Sequence, residues 1–209
     1  MRNNYILFSF LVFLNFILGY LSKELLNSDE LLLNFLGENF SKEQLNGFIS
    51  TQNKIERLSY LFIPLFLFLK ITIISFTLEV GIFFFDKKIK FKKLFNIVVK
   101  AEFIFLLVII SKTVWFYYFQ SNYTIQDLQH FHPLSALNIV GYQGLETWFI
   151  YPFQVINIFE LVYWLLLGHM ISKDINSNLD KAMTIVASSY GLGLLIWVVV
   201  VMFYNLNMS

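Results

Sequence analysis

Two ionisable residues lie deep in apolar sequence and are the best candidates for chemistry. Lys70 sits near the middle of the apolar stretch 58–85, and Glu160 near the middle of the stretch 147–171. An unpaired charge in hydrocarbon costs roughly 2.5–3.5 kcal/mol on insertion scales. If both stretches enter the membrane from the same side, the two residues reach similar depth and are expected to pair. Such a pair is either a structural tie between two helices or part of a proton relay, ion relay or polar substrate site. Gln154, Asn157 and Glu160 follow at i, i+3 and i+6, which lines one face of a continuous helix. That face must turn inward, because lipid offers no hydrogen-bond partner. It reads as interhelical hydrogen bonding or as the wall of a polar cavity. His169 falls roughly opposite Glu160 on the helix wheel, near the cytoplasmic end, and reads as interfacial.

Asp127, His130 and His132 form a D-x-x-H-x-H spacing in a polar segment. Carboxylate and imidazole suit zinc or copper, but no fourth ligand accompanies them, so no metal is assigned. The chain has no Cys, which removes thiolate catalysis, disulfides and thiolate-bound metals. The metalloprotease H-E-x-x-H, the hydrolase G-x-S-x-G and the phosphate-binding G-x-x-x-x-G-K-[ST] patterns are all missing. No catalytic residue is nominated and no cofactor is expected. A net charge of +1 gives no reason to expect nucleic acid.

The elements that must hold these residues are apolar helices. The 209 residues are 57% hydrophobic and 14% charged, with a mean hydropathy of +0.65, against about 25% charged in soluble domains. A bilayer-crossing helix needs about 20 apolar residues. Five stretches approach or exceed this, at 5–21, 58–85, 94–119, 147–171 and 183–204. The expected fold is all-α, a single polytopic membrane domain over 1–209 with five crossings. The first stretch follows Arg2 as in a signal peptide, but Gly19-Tyr20-Leu21-Ser22 is a poor cleavage site, so it reads as an anchor.

Basic residues set the orientation. The N-terminal side would hold Arg2, Lys87, Lys88, Lys90, Lys92, Lys93, Lys173 and Lys181; the other side would hold Lys23, Lys42, Lys54 and Arg57. This predicts a cytoplasmic N-terminus and an outside C-terminus, with a bacterial inner membrane as the simplest home. Lys100 and Lys112 are expected to snorkel, with Glu79 and Glu102 toward the cytoplasmic ends of their spans. Residues 22–57 read as one or two amphipathic helices, the first capped by Asn27 and striped by Leu31, Leu32, Phe35 and Leu36. A Ser41–Gln44 capping box would start the second. Loop 120–146 reads as a re-entrant or interfacial cap. In the last span, Ala187/Gly191 and Ser189/Gly193 are small-xxx-small pairs suited to close helix approach. They would pack inside the bundle or form a homo-oligomer face.

Three segments, HPLSALNIVGY (132–142), YPFQVINIFELVYWLLLGHMISK (151–173) and KAMTIVASSYGLGLLIWVVVVMFY (181–204), resemble the bacterial form of the Yip (Ypt-interacting-protein) family. The resemblance spans roughly residues 60–205. It implies a five-helix bundle with the same orientation as the charge count. The Asp-Leu-Tyr-Gly-Pro motif and long N-terminal domain of the eukaryotic members are missing, so their GTPase-linked trafficking role does not transfer. The function this implies is a non-catalytic scaffold or accessory subunit of a membrane complex, with the bilayer and another membrane protein as partners. The alternative is a small transporter or permease subunit using the polar site around Lys70 and Glu160.

Overall fold

A computed structural model describes residues 2–37 and 42–208. It is all-helical, with no strand among the described residues and a single β-bridge between Ser135 and Asn157. The helices are α1 (Arg2–Leu25), α2 (Ser28–Gly37), α3 (Lys42–Phe84), α4 (Phe91–Phe119), α5 (Ile125–His130), α6 (Ala136–Val140), α7 (Thr147–Val155), α8 (Ile158–Asp174) and α9 (Leu179–Met208). Four segments are long and apolar enough to cross a membrane: Tyr5–Leu25, Leu58–Phe84, Phe91–Phe119 and Leu179–Met208. The chain is therefore an all-helical membrane protein.

The expected continuous span 147–171 is not formed. It is two helices, α7 and α8, of 9 and 17 residues. Pro152 has no N–H to give the helix, and Asn157 leaves helical geometry at φ −144°, ψ 162°. Its side chain accepts from the Glu160 N–H and starts α8 afresh. Elsewhere the reverse holds. The amphipathic segment expected before residue 58 runs unbroken into the apolar one, so α3 is 43 residues long. Pro64 lies inside it without ending it. Asn27 does not cap α2 through its side chain. It takes a left-handed φ of 45°, and its carbonyl accepts from Leu31 N. The Ser41–Gln44 capping box lies outside the described side chains.

Two tight hairpins bring the core helices together. At α3–α4, Asp86 (φ 54°) turns the chain and Lys87 N returns to Ile82 O. At α8–α9, Asn176 (φ 49°) does the same and Ser177 N returns to Ser172 O. Both are Schellman closures, using the two residue types that best tolerate left-handed backbone after glycine. The core is built by Leu11 of α1, Ile71, Ile74 and Leu78 of α3, Leu94, Val98 and Ala101 of α4, Tyr163 and Leu167 of α8, and Ala182 and Ile185 of α9. A smaller cluster of Leu26, Phe116 and Leu128 closes the opposite end of α4.

Helix α9 packs along α8 with its first half and along α7 with its second. Between these halves lies a π-helical segment, Ala187–Gly191, where Ser188 and Ser189 both donate to the Ile185 carbonyl. Ser189 is buried against Gly81, Gly191 against Trp164, and Gly193 lies beside Thr77, whereas Ala187 is exposed. The small residues of α9 thus seat α3 and α8 of the same chain.

A Cβ on Gly81 would lie 2.4 Å from Ser189 Cβ, and one on Gly193 would lie 3.4 Å from Thr77 Cγ2. Gly81→Ala is expected to destabilise the bundle by about 1–3 kcal/mol through overpacking. Gly193→Ala is expected to hold or raise stability, since Ala is favoured over Gly in a helix by about 1 kcal/mol. Thermal unfolding in detergent separates the two.

Candidate functional site

The break between α7 and α8 leaves carbonyls and N–H groups without helical partners, and several find others. Asn157 Nδ2 donates to the carbonyls of Gln154 and Val155 at 2.9 and 3.0 Å. Its Oδ1 accepts from Glu160 N at 2.8 Å. The extended segment before α6 supplies others: Ala136 N donates to Ile156 O at 2.8 Å, and Ile158 N donates to Leu134 O at 3.2 Å. Ser135 and Asn157 are both buried there. Gln154 therefore enters through its main-chain carbonyl. Because the helix breaks, Gln154, Asn157 and Glu160 do not line one face as the i, i+3, i+6 spacing predicts.

Glu160, in the first turn of α8, points its carboxyl at two aromatic donors. Trp164 Nε1 donates to Oε1 at 2.9 Å and Tyr190 Oη at 2.7 Å. Tyr151 of α7 lies within electrostatic range of Glu160 and accepts from Trp197 Nε1 at 2.8 Å. The order of these contacts, from Trp197–Tyr151 to Tyr190–Glu160 to Met183 beside Gly168, runs α9 antiparallel to α7 and α8 together.

Lys70 does not pair with Glu160. Its Nζ donates to Glu102 Oε2 at 2.8 Å and lies 4.3 Å from the Phe105 ring centroid. The reason is the α3–α4 hairpin. Lys70 and Glu102 each lie roughly three to four turns from it on antiparallel neighbours, so they meet at one level. Glu102 is 3% exposed, while the Lys70 side chain is 45% exposed in a groove of about 590 Å³ that Asn15, Ser59 and Leu67 help to line. The cation–π contact and the carboxylate together hold the ammonium in apolar surroundings. The second Glu102 oxygen, Oε1, and the Tyr163 hydroxyl are buried with no hydrogen-bond partner. Tyr163 is within electrostatic range of both Glu102 and Glu160. α4 loses regular helical geometry at this level, with a 3₁₀ turn over Phe103–Phe105.

Sequence reasoning places Glu102 toward a span end and gives no role to Tyr163, Trp164, Tyr190 or Tyr151. The available signal was a hydroxyl or indole one helical turn from an intramembrane acid, as Trp164 is from Glu160. His169 is exposed and only its carbonyl is used, by Ser172.

The polar segment after α4 builds a second site. Thr124 and Asp127 form a capping box on α5, and Asp127 Oδ1 accepts from Tyr142 Oη at 2.8 Å. The Thr124 N–H is the main reason the Asp127 carboxyl is held below its ordinary range. Tyr142 is in turn pushed up by its bond to Asp127. His130 stacks on Tyr142 and its Nδ1 contacts Gln126 O. Asp127, His130 and Tyr142 edge a cavity of about 760 Å³. His132 is apart from them, half-buried near Lys112, whose ammonium donates to the Leu128 carbonyl. Among the described residues no three His, Asp or Glu side chains gather as a metal site requires.

Comparison with protein-family models, with curated proteins and with solved structures gives no match to this chain.

Two outcomes are expected. In a double-mutant cycle, Lys70→Met and Glu102→Gln each lower thermal stability, and the double variant loses less than the sum, with a coupling of roughly 0.5–3 kcal/mol. Burial, and then the Lys112 charge, hold His132 below its ordinary value of 6.5. The unfolded chain takes up that proton first, so stability is full above pH 6.5 and falls as pH drops below it. His132→Gln is expected to flatten that decline in a series of melting curves against pH.

Proposed function

We propose that this chain is a non-catalytic membrane protein of Yip type, a scaffold or accessory subunit of a membrane complex in a bacterial inner membrane. In this reading it crosses the bilayer five times, with α7 and α8 together as the fourth crossing, the N-terminus cytoplasmic and the C-terminus outside. One observation carries the scaffold role: the mid-span ionisable groups are bonded within the chain. Lys70 is paired to Glu102, and Glu160 holds Trp164 and Tyr190. The polar groups there serve as ties between helices rather than as the wall of an open path. The five-crossing count is supported by α9, whose 30 residues would reach about 45 Å as a regular helix and are flanked along their length by α8 and then α7. The Yip assignment rests on the sequence resemblance of residues 132–142, 151–173 and 181–204 alone.

A second reading, a small transporter or permease subunit, is favoured by one specific feature. A discontinuous helix is the device transporters use at mid-membrane sites, and this chain has one in α7–α8, with Glu102 Oε1 and Tyr163 Oη buried and unpartnered in the same bundle.

Affinity purification from native membranes in mild detergent, with quantitative mass spectrometry, tests between the two. The scaffold reading expects a membrane-protein partner at fixed stoichiometry. Protein that elutes alone, and that carries solute or proton flux in liposomes abolished by Glu160→Gln, contradicts it and establishes the transport reading.

A further inference from the structure

We propose that Glu160 is a proton-binding site within the bundle, un-ionised at neutral pH, with the proton on Oε2. The charge count around it leads there. Trp164 of α8 and Tyr190 of α9 bond the Glu160 carboxyl, and Lys70 on α3, Glu102 on α4, Tyr151 on α7 and Tyr163 on α8 lie within its electrostatic range. Lys70 is the one cation in this set, and its ammonium is bonded to Glu102 at 2.8 Å. That pair is neutral as a unit. Glu160 is left with neutral donors only, and an ionised carboxylate without a counter-charge is strongly disfavoured in hydrocarbon.

The hydrogen bonds point the same way. Trp164 Nε1 and Tyr190 Oη both reach Oε1, and no donor among the described residues reaches Oε2. A carboxylic acid is asymmetric in this manner. Its carbonyl oxygen has two lone pairs and accepts twice, while its hydroxyl is a donor. Glu102 contrasts with it, because its Oε2 takes a charge-assisted bond from Lys70 and ionisation is compensated there. One lysine between two acids can compensate one of them, so the second acid carries a proton. The step is proton binding alone, carboxylate plus H⁺ giving the acid, and needs no co-reactant. It rests on the reading in which α7 and α8 cross the bilayer together, and within it stands beside either role, since an un-ionised tie and a relay member both require it.

Infrared spectroscopy of the full chain in an alkyl maltoside, a detergent without carbonyl groups, tests this directly. The expected result at neutral pH is the C=O stretch of an un-ionised carboxylic acid. It should be lost in Glu160→Gln, which keeps an oxygen acceptor for Trp164 and Tyr190, and kept in Glu102→Gln. Tyr190→Phe, which removes one donor to Oε1, should move the band to higher frequency. The proposal is overturned if the wild-type protein shows no such band, if the band survives in Glu160→Gln, or if Tyr190→Phe leaves it unmoved.

Discussion

Buried polar backbone must find its partners within the protein, and the break at residues 156–157 is where this chain meets that constraint. An unsatisfied buried N–H or C=O costs about 1–3 kcal/mol. The solution uses one amide side chain and one extended segment. Asn157 bonds backward to two carbonyls and forward to the first turn of α8. Residues 134–136 bond to 156 and 158 from outside. Once the break is sealed, α8 begins at a set level, and Glu160 in its first turn is delivered to Tyr190 on α9. A continuous helix through 147–171 would carry Glu160 elsewhere and leave the segment before α6 without a partner.

The second organising contact, Lys70 with Glu102, follows from a different part of the chain. It depends on the α3–α4 hairpin, whose register is set by the left-handed Asp86. Tyr163, which is fully buried, lies within electrostatic range of both acids. The polar groups of α3, α4, α8 and α9 thus gather at one level of an otherwise apolar core, which makes helix register and charge compensation the same problem.

Much of the fold was legible in the sequence. Length and apolarity alone located the helices of residues 5–25, 58–84, 91–119 and 179–208, and showed that polar residues within them need internal partners. What was not legible was three-dimensional. The pairing of Lys70 was judged by depth across spans two and four, whereas hairpin register on adjacent helices decides it. Asn157 was read as one of three residues on a helical face, although Asn is also a preferred N-cap, and Pro152 five residues earlier was the signal that the helix could end. Asp127 and His130 suggested a ligand pair by type; their geometry commits Asp127 to a capping box and a tyrosine, and His130 to a ring stack. Ala187 was grouped with three small residues that pack, yet it faces outward, because spacing does not reveal the extra residue that a π segment inserts.

The polar cluster has its proposed setting only if α7 and α8 cross the membrane together. The native chain has no Cys, so single-cysteine variants give a clean background for impermeant thiol labelling in intact cells. Cysteines placed at Asn122, Asp180 and Asn207 bracket the segment in question. A broken fourth crossing predicts that positions 122 and 207 label from outside while 180 labels only after permeabilisation. Labelling of 122 and 180 from the same side, with 207 on the other, would contradict it and place the α7–α8 pair on one face of the membrane.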